Sequence, residues 1–264
     1  DVALLIRSTA SADSFEVCGR GVMHLSVLIE EMRREGYEFS VGKPHVILKE
    51  VDGQICEPYE RAAVEVPADS AGHIIEYLGR RRGEMLDMTH IGAFAKVEFK
   101  IPARGLIGAR TALLTLSQGE AVLSHVFDCW GPDGGVIPRR TSGVLISDRN
   151  GPVVAYALDG LQDRGKFFIA PGDTVYEGMI VGENGKDADL ELNVCRAKKL
   201  TNMRASGRDD NAKIAPPIRM SLEEMLEYVE DDEVVEITPK SLRLRKIELD
   251  PNVRKRDRRK AAGV

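Results

Sequence analysis

The chain has 264 residues, 43% of them hydrophobic and 30% charged, with a formal net charge of −5. That length suits two or three domains with real cores, and no apolar run approaches the ~18 residues of a membrane-spanning helix, so none is expected. Cys18, Cys56, Cys129, Cys195 and the five histidines are scattered without metal-ligand spacing, which argues against a zinc site and for a reducing, cytoplasmic setting.

The first residues open at Asp1 inside an apolar segment with neither an initiator Met nor a signal peptide, so the chain reads as a piece of a longer protein. Residues 2–7 and 15–18 predict a strand pair across a polar turn. Gly19-Arg20-Gly21 then opens a helix with Val22, Leu25, Leu28, Ile29 and Met32 on one face. Those glycines can receive a phosphate at the helix N-terminus or simply make the turn. Gly36 ends the helix, and residues 37–41 and 45–51 are extended. Residues 1–54 therefore form an incomplete α+β unit.

Residues 55–131 carry a fuller pattern. Residues 62–66 predict a strand, Asp69 or Ser70 caps a helix bearing Ile74, Ile75 and Leu78, and Arg80-Arg81-Arg82 suit its last turn. Residues 85–91 predict a weak strand. Residues 95–101 alternate strictly, with Ala95, Val97, Phe99 and Ile101 on one side. A second helix is expected over 104–117, with Leu106, Ile107, Leu113 and Leu114 inward, and a last strand over 121–127. The order β-α-β-β-α-β is the ferredoxin-like unit.

From residue 132 the texture becomes short strands and turns. Residues 144–147 and 153–158 flank Asn150-Gly151, a hairpin signal, and strands are expected over 166–169, 175–181 and 190–195. Their spacing suggests a barrel-like or sandwich domain. Ser221-Leu-Glu-Glu224 is a capping box for a short helix with Leu222, Met225, Leu226 and Val229 inward. Residues 233–237 and 241–247 predict a final strand pair, and 254–260 a charged, disordered tail. The fold class expected is α+β: a partial and a complete ferredoxin-like domain, then a β-rich domain over 132–264.

No chemistry-bearing motif emerges. There is no GxxxxGK[ST], no HExxH and no GxSxG, and Gly182-Glu-Asn-Gly-Lys186 lacks both the spacing and the hydroxyl of a phosphate loop. A binding function is the better class. The strongest candidate is residues 196–213, with six Lys/Arg against two Asp and neither helical nor strand periodicity. Arg196, Lys198, Lys199, Arg204 and Arg208 can neutralise phosphates. Thr201, Asn202 and Ser206 can donate to phosphate and sugar, and Met203 can lie against a base. The bland alternative is a solvated surface loop. From residue 239 onward ten Lys/Arg face three Asp/Glu, and such charge asymmetry points to a polyanionic partner.

Particular stretches carry a resemblance. Gly19-Arg-Gly-Val-Met-His-Leu-Ser-Val-Leu-Ile-Glu-Glu-Met-Arg-Arg-Glu-Gly36 resembles the second helix of domain III in translational GTPases of the elongation factor G group. Ile101-Pro-Ala-Arg-Gly-Leu-Ile-Gly108 resembles the second helix of their domain V. Gly160-Leu-Gln-Asp-Arg-Gly-Lys166 and Lys198-Lys-Leu-Thr-Asn-Met-Arg-Ala-Ser-Gly207 are similar to the C-terminal domain of the BipA family, also called TypA. The resemblance implies a bacterial ribosome-binding GTPase of stress and cold adaptation and of large-subunit assembly. Its loop, residues 196–213 here, would reach rRNA or the acceptor end of A-site tRNA. GTP and Mg would belong to a G domain of the parent protein, so no cofactor and no enzymatic activity are expected of this stretch. The implied partners are rRNA, tRNA and ribosomal proteins, with no membrane and a monomeric state. Residues 208–213 are more charged than the family pattern suggests. The rival reading is a protein-interaction module that relays the GTPase state without direct RNA contact by the loop.

Overall fold

The computed structural model describes residues 4–9, 11, 13–135, 137, 140, 142–197 and 214–261. The chain is mixed α+β and divides into two compact units, Asp1–Leu25 with Pro44–Arg139, and Ser26–Lys43 with Arg140–Val264.

The described chain begins with the antiparallel pair β1 (Leu5–Ser8) and β2 (Phe15–Cys18). Helix α1 (Val22–Arg34) follows and ends at Gly36, whose φ of +96° only glycine adopts without strain. After β3 (Phe39–Gly42) and β4 (Lys49–Val51) comes β5 (Gln54–Pro67), much longer than the apolar core of its sequence suggests. A 3₁₀ turn leads into α2 (Ala71–Arg80), followed by β6 (Glu84–Ile91), β7 (Phe94–Pro102), α3 (Ala103–Leu106), α4 (Ala109–Leu116) and β8 (Val122–Pro132). The strands of the first unit pair antiparallel in the order β8-β5-β7-β6, with β4 on the first residues of β5. That is the ferredoxin-like arrangement expected for this region.

The alternation in β7 does what its pattern requires. Ala95, Val97, Phe99 and Ile101 are buried against Ala62, Val64 and Val66 of β5, with Ile74, Leu78, Ala109 and Leu113 of the helices in the same core. Two local expectations fail. Ser70 makes no side-chain cap; the 3₁₀ turn over Ala68–Ser70 already turns the chain into α2. The single helix over 104–117 is broken, because Ile107 is extended and Gly108 is left-handed at φ 73°. Buried Arg81 explains the break. Its guanidinium donates to the carbonyls of Gly105 (2.9 Å) and Ile107 (2.7 Å), which a continuous helix would have used itself.

In the second unit, β9 (Val144–Ser147), β11 (Gly165–Phe167), β13 (Ile180–Asn184) and β14 (Leu190–Leu192) form a sheet of order β11-β13-β9-β14, with β14 parallel to β9. Beside it, β10 (Gly151–Pro152) pairs with β12 (Thr174–Val175). A third sheet has the order β16-β15-β3, from β15 (Glu233–Ile237) and β16 (Leu242–Lys246). Among the described residues these sheets do not close, so the barrel suggested by strand spacing is corrected to several small sheets. The Asn150-Gly151 hairpin is also corrected: β10 pairs with β12, and α5 (Ala155–Asp159) takes the place of the expected strand over 153–158. The expected capping box opens α6 (Leu222–Tyr228), with Ser221 Oγ accepting from the Glu224 N–H (3.3 Å) and the Glu224 carboxylate accepting from the Ser221 N–H (2.7 Å). The expected disordered tail is instead helix α7 (Pro251–Ala261). Asp250 caps its first turn by accepting from the Asn252 N–H (2.7 Å), and its Lys and Arg residues are good helix formers.

Candidate nucleic-acid interface

The basic stretch leaves and rejoins the second unit through two anchored stems. On the outgoing side, the Asp148 N–H donates to the Leu192 carbonyl (3.1 Å), the Val154 N–H to the Val194 carbonyl (3.0 Å), and the Cys195 N–H to the Asn193 side chain (3.0 Å). Val194 is fully buried. The next described side chain that can carry charge is Arg196, which is exposed. On the returning side, Ile214 packs on the core of this unit. The Ala215 N–H then donates to the Gln162 side chain (2.9 Å), and the Ile218 N–H to the Phe167 carbonyl (2.9 Å).

Gln162 belongs to Gly160-Leu-Gln-Asp-Arg-Gly-Lys166, so two stretches singled out by sequence meet at one place. Gly165 is needed there for space. A Cβ on it would lie 1.9 Å from the Glu183 carbonyl, across the β11–β13 ladder in which Gly165 faces Asn184. The side chains of Arg164 and Lys166 on either side are exposed, and among the described residues no carboxylate bridges them. Arg196 thus stands exposed at the end of the outgoing stem, and Arg164 and Lys166 are exposed in the segment whose Gln162 and Phe167 hold the returning one. Lys198, Lys199, Thr201, Asn202, Met203, Arg204, Ser206 and Arg208 lie outside the described residues.

Sequence reasoning missed an ionic centre buried in this unit. Lys246 is 1% exposed, and its ammonium sits 2.9 Å from Asp189, 2.8 Å from Asp232 and 2.9 Å from Glu233. Glu233 is fully buried and also receives both terminal nitrogens of Arg140, at 3.1 and 2.8 Å, while Arg140 stacks on Tyr228. Burial alone would push the Glu233 carboxyl up. The Arg140 hydrogen bond and the Lys246 charge outweigh it and hold the group below the usual carboxylate range. Asp189 is likewise held low against its burial, by the Val144 N–H and by Lys246. A signal was present in the sequence: Glu233, Val235 and Ile237 alternate inward on β15, and Lys246 is the cross-strand partner of Glu233.

The same unit holds a cleft of about 370 Å³, with Met179, Met225 and Leu244 among its lining and Arg219, Lys240 and Arg243 also contributing. Among the described residues there is no group of three His, Cys, Asp or Glu able to hold a metal ion, and no helix long and apolar enough to cross a membrane.

Comparison with known proteins gives two adjoining family matches. The elongation factor G C-terminus family matches residues 54–141, and the TypA/BipA C-terminal domain family matches residues 142–251. The chain is 47% identical over its whole length to the large ribosomal subunit assembly factor BipA of Bacillus subtilis, covering 44% of that protein. It is 48% identical over 94% of its length to the protein of that name in Synechocystis, and 46% identical over 98% to that of Escherichia coli K12, covering 42% and 43% of them. The chain therefore spans less than half the length of these curated relatives.

Proposed function

Because the chain belongs to the BipA/TypA family, of which it carries the C-terminal portion, we propose that it is the ribosome-binding part of a bacterial translational GTPase acting in large-subunit assembly and in stress and cold adaptation. In this reading residues 196–213 contact rRNA or the acceptor end of A-site tRNA in the cytoplasm, and GTP with Mg is handled by the G domain of the parent protein. The parts are residues 1–54 as a portion of domain III, 55–131 as domain V, and 132–264 as the BipA-type domain. Lys198, Lys199, Arg204 and Arg208 neutralise phosphates, Thr201, Asn202 and Ser206 fix register, and Met203 packs on a base. The observation that carries the reading is the pair of anchored stems: both ends of a stretch of net positive charge are fixed to the second unit, with Arg196 exposed on the outgoing one.

The test is binding of the chain to purified large ribosomal subunits across salt. Replacing Lys198, Lys199, Arg204 and Arg208 with Ala should weaken binding and flatten the salt dependence, by roughly 0.7–0.9 in log–log slope for each phosphate left without its cation. Wild-type affinity and slope in that variant would remove the stretch from the interface. Salt-insensitive binding that requires ribosomal proteins would make this part a protein-interaction module.

A further inference from the structure

The C-terminal helix α7 carries two faces of different chemistry. Successive residues turn by about 100°, so Arg254 and Arg258 share one face while Asn252, Arg256 and Arg259 share the opposite one, with Lys260 beside them. The first face is tied down. Arg254 is 8% exposed, donates to the Glu248 carbonyl (2.9 Å) and the Leu249 carbonyl (2.6 Å), and pairs with Glu191 at 3.1 Å. Lys255 pairs with the other Glu191 oxygen at 3.1 Å, and Arg258 pairs with Asp189, itself held by Lys246. The second face is open. Asn252, Arg256, Arg259 and Lys260 are exposed there. Asp257 lies 3.9 Å from Arg256 with both groups well exposed, and such a pair is weak. Among the described residues no carboxylate bridges Arg259 or Lys260.

We infer that α7 is a second RNA-binding element, a helix fixed to its unit through Arg254, Lys255 and Arg258 so that Asn252, Arg256, Arg259 and Lys260 meet the sugar–phosphate backbone of RNA. The inference rests on the ribosome-binding reading above for its biological setting, and it concerns an element that reading does not use. Cation density with a single amide suits phosphate oxygens. An acidic protein partner fits less well, since the open face has no aromatic or apolar anchor and lysine is depleted in protein interfaces. Anchoring matters because a helix already ordered gives up little further freedom on binding, whereas a disordered tail must be ordered first.

The experiment measures binding of the whole chain to a short labelled RNA duplex and to purified large ribosomal subunits, between about 50 and 200 mM salt. The triple variant Arg256→Ala, Arg259→Ala, Lys260→Ala should keep the wild-type circular dichroism and lose roughly 2–3 from the slope on both probes, since each neutralised phosphate contributes about 0.7–0.9. Arg256→Lys with Arg259→Lys should keep most of the slope. An unchanged slope in the triple variant on both probes overturns the inference. So does unchanged RNA binding combined with loss of affinity for polyglutamate, which would make the face a protein contact. Replacement of Lys198, Lys199, Arg204 and Arg208 separates the two readings. If that variant alone loses subunit binding, α7 is not an RNA element; if only the α7 variant loses it, the stretch 196–213 is not the contact.

Discussion

Lys246 is a buried charge set among acids. Its ammonium neutralises Glu233 and Asp189, which are held ionised in spite of their burial. Replacing Lys246 with Met fills a similar volume but leaves the buried Glu233 with Arg140 as its one remaining cation and Asp189 with Arg258, so the second unit should lose stability, by up to about 3–5 kcal/mol. The dependence on pH has a definite sign. Both carboxyls have folded pKa values below their ordinary ones, so their contribution is fully present above pH ~4 and is lost as the pH falls through the folded values. The gap in denaturant midpoint between wild type and Lys246→Met should therefore narrow below pH ~4, where a protonated Glu233 tolerates burial beside methionine. A gap that stays constant from neutral pH into acid would show that Lys246 acts through packing rather than charge.

At the scale of elements, strength of pattern decided what the sequence revealed. The alternation of β7 and the capping box at Ser221 are local and redundant, and both are present as read. Ser221→Ala should accordingly cost about 1 kcal/mol, read as a lower midpoint with an unchanged denaturant slope. The elements misread are those settled by distant partners. Asn150-Gly151 signals a hairpin, but the partner of Gly151 is Val175, and Val153, Ala157 and Leu158 are buried at helical spacing. The basic tail looked disordered because its anchors, Glu191 and Asp189, lie more than sixty residues away. The break between α3 and α4 accompanies the hydrogen bonds of Arg81 to the Gly105 and Ile107 carbonyls, partners more than twenty residues from it in sequence. For the candidate site, the family motifs gave its place and the stems gave its support. Residues 198–213, between the stems, lie outside the described residues, so their roles rest on composition and resemblance.

At the scale of the molecule, two cores of different character are joined in one chain. The core of the ferredoxin-like sheet is aliphatic and aromatic, while the second unit encloses an ionic centre beside its apolar core. Phe99 is 1% exposed in the first, and Phe99→Ala should cost about 3–5 kcal/mol there. Calorimetry should resolve two transitions, one lowered by Phe99→Ala and the other by Lys246→Met. A single transition moved equally by both variants would mean that the two units melt as one.

The ionic centre also joins residues that are made far apart in time during synthesis. Residues 49–132 hold every strand of the ferredoxin-like sheet and its helices, so that core can close as soon as they have been made. The ionic centre of the second unit is completed later. Glu233 and Asp189 wait for Lys246, and Asp189 and Glu191 wait again for Arg258 and Arg254. Until those cations arrive, Asp189 and Glu191 lack the ion pairs they make in the finished fold, although the apolar core shared by β9, β13 and β14 is already in the chain. A nascent chain halted before β16 would carry a finished domain followed by more than a hundred residues still without those ion pairs, exposed to proteases and chaperones for as long as the halt lasts.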